Sequence, residues 1–191
     1  LKSCAELGEK VNQHLTAWRR ERESEHKSTI AFAGYQRDSY VIKAQTPRFG
    51  SGEGKGSIEE AVRGDDLYIM VDICNYSLTY SLCGMVNHMS PDDHFQDLKR
   101  VIAAAAGKAR RINVIMPFLY EGRQHKRSGR ESLDCATALQ ELCDMGVENI
   151  ITFDAHDPRV QNAIPLKGFE TVQPIYQFIK YLLKEETQLK I

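Results

Sequence analysis

Apolar positions along the chain fall into runs of two periods. Leu7, Val11, Leu15 and Trp18 recur at helical spacing behind Ser3 and Glu6, which form a capping box, so a helix is expected from about residue 4 to about residue 22. Its apolar stripe wants a sheet. The charged stretch RRERESEHKS, residues 19–28, has no apolar period and reads as a solvated helix end and loop. Short β-rich runs follow, SYVIKA at 39–44, LYIMVD at 67–72, INVIMP at 112–117 and NIITFD at 149–154, and these predict strands. Between the second and third, SPDDHFQDLKRVIAAAAGKA offers Ser90 as N-cap, Pro91 at the first helical position, and Phe95, Leu98, Ile102 and Ala105 on one face. Between the third and fourth, residues from about 133 to 145 repeat the helical pattern and stop at Gly146, which suits a left-handed C-cap. Strand, helix, strand, helix, strand implies an α/β fold, a parallel sheet flanked by helices and joined by right-handed crossovers. Ligands of such sheets gather at the carboxyl ends of the strands.

Composition narrows the class. A chain of 191 residues has the length of a single α/β domain with one sizeable core. Hydrophobic residues at 42% and charged residues at 27% are ordinary globular values and indicate neither a disordered chain nor a membrane protein. A net charge of −1 argues against a broad nucleic-acid surface. No apolar run approaches the roughly 20 residues that span a bilayer, and the N-terminus lacks the core of a signal peptide, so the reading is cytoplasmic, with no membrane partner. The five cysteines, Cys4, Cys74, Cys83, Cys135 and Cys143, show no C-x-x-C spacing and read as reduced. Cys135 and Cys143 fall in a helical pattern, where a small buried thiol is expected.

Three stretches carry candidate chemistry. In FGSGEGKGS, residues 49–57, four glycines alternate with small and charged residues. The dinucleotide fingerprint and the P-loop both fail there, since Lys55 follows Gly52 by three and Gly56 follows Lys55, so a turn requiring positive φ leads over a phosphate cradle. After INVIMP, the excursion FLYEGRQHKRSGRES holds Arg123, His125, Lys126, Arg127 and Arg130 within eight positions. It is longer than an ordinary strand-to-helix connection, and anion binding and a solvated or subunit-contact loop both account for it. In TFDAHDPR, Asp154 and His156 stand two apart, on one side of an extended backbone; a metal-bound water and a capping Asp with a hydrogen-bonded His are the two readings. His14, His26, His88 and His94 have no partners at ligand spacing and receive no role. Residues 72–89, rich in Tyr, Leu and Met, suit a pocket lining or an oligomer contact.

Taken in order, PRFGSGEGKGSIEEAVRGDDLYIMV, VIMPFLYEGRQHKRSGRESL and ITFDAHDPRVQNAIP resemble three motifs of the ribose-phosphate pyrophosphokinase (phosphoribosyl pyrophosphate synthetase) family, and CAELGEKVNQHL resembles its first helix. The resemblance implies the phosphoribosyltransferase-like N-terminal domain of that family, with the basic excursion as a protruding flag loop. It implies that Phe49 packs against the adenine of ATP, that Glu53 accepts from its exocyclic amine, and that the backbone around Gly52 completes that edge, often across a subunit boundary. Ser51 stands where the family has an acidic or amide residue, so one strong acceptor is lost. Arg123 and Gln124 would contact ATP, and His156 would help to hold Mg²⁺ on the triphosphate. The implied reaction transfers the diphosphoryl group of Mg-ATP to C1 of ribose 5-phosphate, giving phosphoribosyl pyrophosphate and AMP.

The same resemblance marks departures. The Asp after R-Q is His125 here, and the Lys after R-E-P-I is replaced near Ala136. No stretch matches the family's catalytic Lys/Arg loop or its pentose-phosphate loop, so the catalytic residues and most of the ribose 5-phosphate site are expected in a second domain that these residues do not include. Residues 172–191 resemble the helix leading towards it, with Ile175, Phe178, Ile179 and Leu182 as an apolar stripe. The expectation is an ATP-binding half of a diphosphokinase, assembled as a homo-oligomer. The alternative is a non-catalytic homologue that binds nucleotide and regulates or assembles with active subunits.

Overall fold

The computed structural model describes residues 1–25 and 37–185. The expectations for His26, for the end of the charged stretch and for residues 186–191 lie outside them. In chain order the elements are α1 (Ala5–Ser24), β1 (Ala44–Gln45), β2 (Ser57–Ile58), β3 (Asp66–Met70), β4 (Thr79–Leu82), β5 (Met85–His88), α2 (Pro91–Ala105), β6 (Arg111–Met116), α3 (Asp134–Asp144), β7 (Val147–Phe153), β8 (Gly168–Val172) and α4 (Ile175–Glu185).

β3, β6, β7 and β8 form one parallel sheet in that order, so each crossover steps to the next strand in the same direction. Right-handed crossovers of that kind carry α2 and α3 to a common face. The two helices are tied to each other there by Lys99 Nζ, 2.6 Å from Glu141 Oε1. The core lies between that face and the helices: Leu98, Val101 and Ile102 of α2 and Leu139 and Leu142 of α3 bury against Ile69, Val114, Met116 and Ile150 of the strands. On the other side of β3, Tyr68 remains 56% exposed.

α2 forms as its sequence dictates. The Ser90 hydroxyl accepts from the Asp93 N–H at 3.1 Å and the Asp93 carboxylate accepts from the Ser90 N–H at 2.9 Å, with Pro91 in the first turn. Gly146, at φ +95, ends α3 as the pattern required.

Elsewhere the structure corrects the sequence reading. Ser3 does not cap α1, which starts one residue after a 3-10 turn over Lys2–Cys4; its hydroxyl accepts from the Asp72 N–H beyond β3 instead. The stripe of α1 is half-buried only at Leu7, and further along it Val11, Leu15 and Trp18 are exposed, Trp18 by 59%. The run at 39–44 contributes only to β1, because the Tyr40, Val41 and Lys43 N–H groups go to the side chains of Asn12, Ser39 and Glu60 rather than to a ladder. β8 is an additional strand, paired with β7 from Gly168, where a Cβ would run into the Asn149 amide. β4 and β5 form a hairpin within residues 72–89, closed by Cys83 and Gly84 at φ 51 and 80, the signs a type I′ turn needs. Among the described residues no helix is long and apolar enough to cross a membrane.

Candidate functional site

The carboxyl end of β6 opens into the basic excursion, which is built of turns. Its root is anchored: Leu119 is buried, and the Tyr120 ring stacks on Phe95 of α2 at 4.1 Å while its hydroxyl donates to Asp92 at 2.6 Å. Burial and the Asp92 carboxylate push the Tyr120 phenol well above its usual range, so it stays a donor. Glu121, at φ 55, has its carboxyl raised by burial and then by Asp134 and Asp92. Gln124 closes the loop on itself, its side-chain amide donating to the Ser132 carbonyl at 2.7 Å. Arg123, Lys126, Arg127 and Arg130 are exposed beyond that root.

The next strand end meets this loop. β7 stops at Phe153, and Asp154 takes φ 46, so the expected extended D-x-H geometry does not form. His156 instead faces His125, with ring centroids 5.0 Å apart, and Nδ1 of His125 lies 3.2 Å from Oδ2 of Asp157. Arg159 grips the same carboxylate through Nε at 2.9 Å and Nη2 at 2.6 Å and holds it well below the usual carboxylate range. Asp157 is the residue that sequence reasoning missed; the signal was the imidazole at 125 in place of a carboxylate. Arg123 belongs to this edge too, where its charge partly offsets the effect of burial, which raises the Cys74 thiol. Among the described residues no group of three His, Cys, Asp or Glu side chains is placed to hold a metal ion. A hard cation here would depend on oxygens supplied by a bound phosphate chain, with His156 as a side contact. Cys135 is fully buried, which pushes its thiol up to about 11 and fits an inert core thiol.

The glycine comb lies on the other side of α2. The Phe49 N–H donates to the Glu53 carbonyl at 2.8 Å and the Gly52 N–H to the Phe49 carbonyl at 2.9 Å, so these donors serve the turn itself. A phosphate nest would leave such donors free. Gly52 needs its φ of +88 for tight turning, and at Gly56 a Cβ would stand 2.5 Å from the backbone oxygen of Arg100, so that glycine allows close approach to a helix. The Ser51 hydroxyl donates to Glu53 Oε2 at 2.8 Å, and Phe49 is 56% exposed. Behind the turn, Arg48 is buried: Nη1 donates to Asp97 at 2.5 Å, Nη2 lies 3.8 Å from Asp93, and Arg100 shares Asp97 at 2.7 Å.

Both regions thus hang on the first two turns of α2. Asp93 and Asp97, four apart on one stripe, take Arg48; Asp92 and Phe95, three apart on the next, take Tyr120. The structure brings Arg123, Gln124 and His156 to one edge and Phe49, Ser51, Gly52 and Glu53 to another place. No hydrogen bond, ion pair or ring contact joins the two groups among the described residues.

A parallel sheet flanked by helices, with a basic loop and two facing imidazoles at the carboxyl ends of its strands, defines an α/β domain. The family model for the N-terminal domain of ribose phosphate pyrophosphokinase matches residues 1–146, and the chain belongs to that family. It is similar to ribose-phosphate pyrophosphokinase B of Dictyostelium discoideum, 28% identical over 150 residues that make up 76% of this chain and 41% of that protein. With the ribose-phosphate pyrophosphokinase of Bacillus caldolyticus it shares 27% identity over 121 residues, 62% of this chain and 34% of the relative. The crystal structure of phosphoribosylpyrophosphate synthetase from Mycobacterium smegmatis matches it in fold with a TM-score of 0.63 at 23% identity, over 77% of this chain and 45% of the other. The aligned part of the chain spans 41% or less of the Dictyostelium and Bacillus relatives' length.

Proposed function

We propose that the chain is the ATP-binding half of a ribose-phosphate diphosphokinase. In that reaction the C1 hydroxyl oxygen of ribose 5-phosphate bonds to the β-phosphorus of Mg-ATP, the bridge from the α- to the β-phosphate breaks, and AMP leaves. Arg123 would hold phosphate oxygens, Gln124 would keep the loop in shape, and His156 would approach the Mg²⁺ that the nucleotide brings; positioning and charge neutralisation supply most of such catalysis. Phe49, the backbone at Gly52 and Glu53 would recognise adenine, with Ser51 orienting the Glu53 carboxylate. The observation that carries the reading is the meeting of the β6 and β7 ends at one edge through His125, His156 and Asp157, within a chain of this family.

The separation of the adenine group from the phosphate group within one chain favours a nucleotide shared between subunits of a homo-oligomer. Under this reading residues 1–191 act as one cytoplasmic α/β domain, the basic excursion serves as its flag, and α4 leads towards a second domain that supplies the catalytic and ribose 5-phosphate groups. Mg-ATP titration of the intact protein tests it: Glu53→Ala and Arg123→Ala should each weaken binding about tenfold, and His14→Ala should not. Equal affinity in all three would overturn the site.

A regulatory homologue that binds nucleotide without turnover is the second reading. Its support is the Gln124 amide directed at its own loop and the Glu53 carboxylate engaged by Ser51. AMP release that depends on ribose 5-phosphate separates the two.

A further inference from the structure

A cavity of about 480 Å³ is lined both by Phe49 and Gly50 of the comb and by Tyr80 and Ser81 of the hairpin, a volume that suits a small organic ligand. The hairpin is fastened to the comb: the Cys83 N–H donates to the Gly50 carbonyl at 3.3 Å, and Leu82 Cδ1 lies 2.9 Å from where a Cβ on Gly52 would stand. The Arg48 guanidinium sits 5.3 Å from the centroid of the Tyr80 ring, clamped from behind by Asp97. We propose that the β4–β5 hairpin is the second wall of the base site, so that a purine set against Phe49 is also bounded by Tyr80, with Tyr80 a specificity-determining contact and Arg48 a positioning residue. This rests on the adenine role of Phe49 given above.

Two observations select a base over the sugar or the phosphates, and a third fixes the role of Arg48. Two aromatic side chains line one cavity, offering ring faces to a flat ligand. Asp93 and Asp97 neutralise Arg48 and Arg100, so the guanidinium beside Tyr80 is already paired and is not offered to phosphate, which leaves Lys2 as the other cationic side chain of the lining. Arg48 Nη2 is buried with no hydrogen-bond acceptor and stands 3.8 Å from Asp93, so the guanidinium is held between the helix carboxylates and the Tyr80 ring, where it sets the position of that ring.

The test is calorimetry on the intact protein with Mg-ATP and, separately, Mg-tripolyphosphate. Tyr80→Ala should weaken Mg-ATP about tenfold and leave Mg-tripolyphosphate unchanged, the size of a lost base–aromatic stack. Tyr80→Phe should bind like the parent, and Tyr80→Leu, which keeps the bulk and guards against a folding defect, should behave like Tyr80→Ala. Parental Mg-ATP affinity in the Ala and Leu variants, or equal loss of both ligands, overturns the proposal. If the parent binds no Mg-ATP, the adenine assignment itself falls and takes this with it. If Glu53→Ala and Arg123→Ala weaken binding while Tyr80→Ala and Tyr80→Leu do not, the hairpin wall alone is wrong.

Discussion

The comb and the basic excursion flank the same two turns of α2 and are held there by opposite means. The comb is fixed by a buried charge cluster, Arg48 at 7% and Asp97 at 5% side-chain exposure, and by glycines that let it lie on the helix. The excursion is fixed at its root by the ring and the phenol of Tyr120 and, further on, by the contact of His125 with Asp157, while its cations Arg123, Lys126, Arg127 and Arg130 stay exposed. Buried ion pairs are costly to break and set position; exposed ones contribute little to stability and leave a loop free to adapt. Under the proposed function, that contrast matches a rigid base at the comb and a flexible phosphate chain at the excursion.

The comparison breaks most strongly at Asp97. Asp97→Ala strands two guanidinium groups, one of them buried, and should cost about 3–5 kcal/mol, lowering the melting temperature by about 10 °C. A melting temperature within a degree or two of the parent would mean that the comb is not held by its charges. Gly56→Ala comes next: its Cβ meets helix backbone that has no rotamer to change, so a loss of about 1–3 kcal/mol in chemical denaturation is expected. Unchanged stability there would show that the comb stands further from α2.

The smallest effect belongs to the excursion side. Arg159 depresses the folded-state ionisation of Asp157, so the stability this carboxylate contributes is fully present above its unfolded value of about 4 and is lost as pH falls below that. Asp157→Asn should therefore lower the melting temperature by about a degree or two between pH 5 and 8 and converge on the parent as the pH falls well below 4. A loss at neutral pH as large as that of Asp97→Ala would make this edge as firmly built as the comb.

The legibility of each element in the sequence depends on the range of the interactions that fix it. α2 was readable to the residue, because Ser90, Pro91 and the buried face are all within one local period. β8 was not, since its Gly168 is explained only by Asn149 on the neighbouring strand. The hairpin escaped because its turn is Cys83–Gly84 rather than Asn-Gly, and the left-handed cost at Cys83 is met by the ladder around it. At the site, the family motifs point to the candidate residues, and the odd glycines read as turn formers, in keeping with N–H groups that are used within their own turn. Their actual role depends on Arg100, distant in sequence, and on Leu82 of a hairpin the pattern did not reveal. The imidazole at 125 was visible as an exception, and its partner Asp157 became apparent only when the β6 and β7 ends met.

The shared anchorage on α2 has an evolutionary corollary. Each residue inserted into a helix rotates the remainder of that helix by about 100°, so one extra residue between Phe95 and Asp97 would swing Asp97 away from Arg48 while Asp92 and Phe95 stayed put. Loops on either side can lengthen or shorten without that penalty. In an alignment of chains that keep both regions, the stretch PDDHFQD should therefore appear as a block without gaps, bordered by segments of variable length.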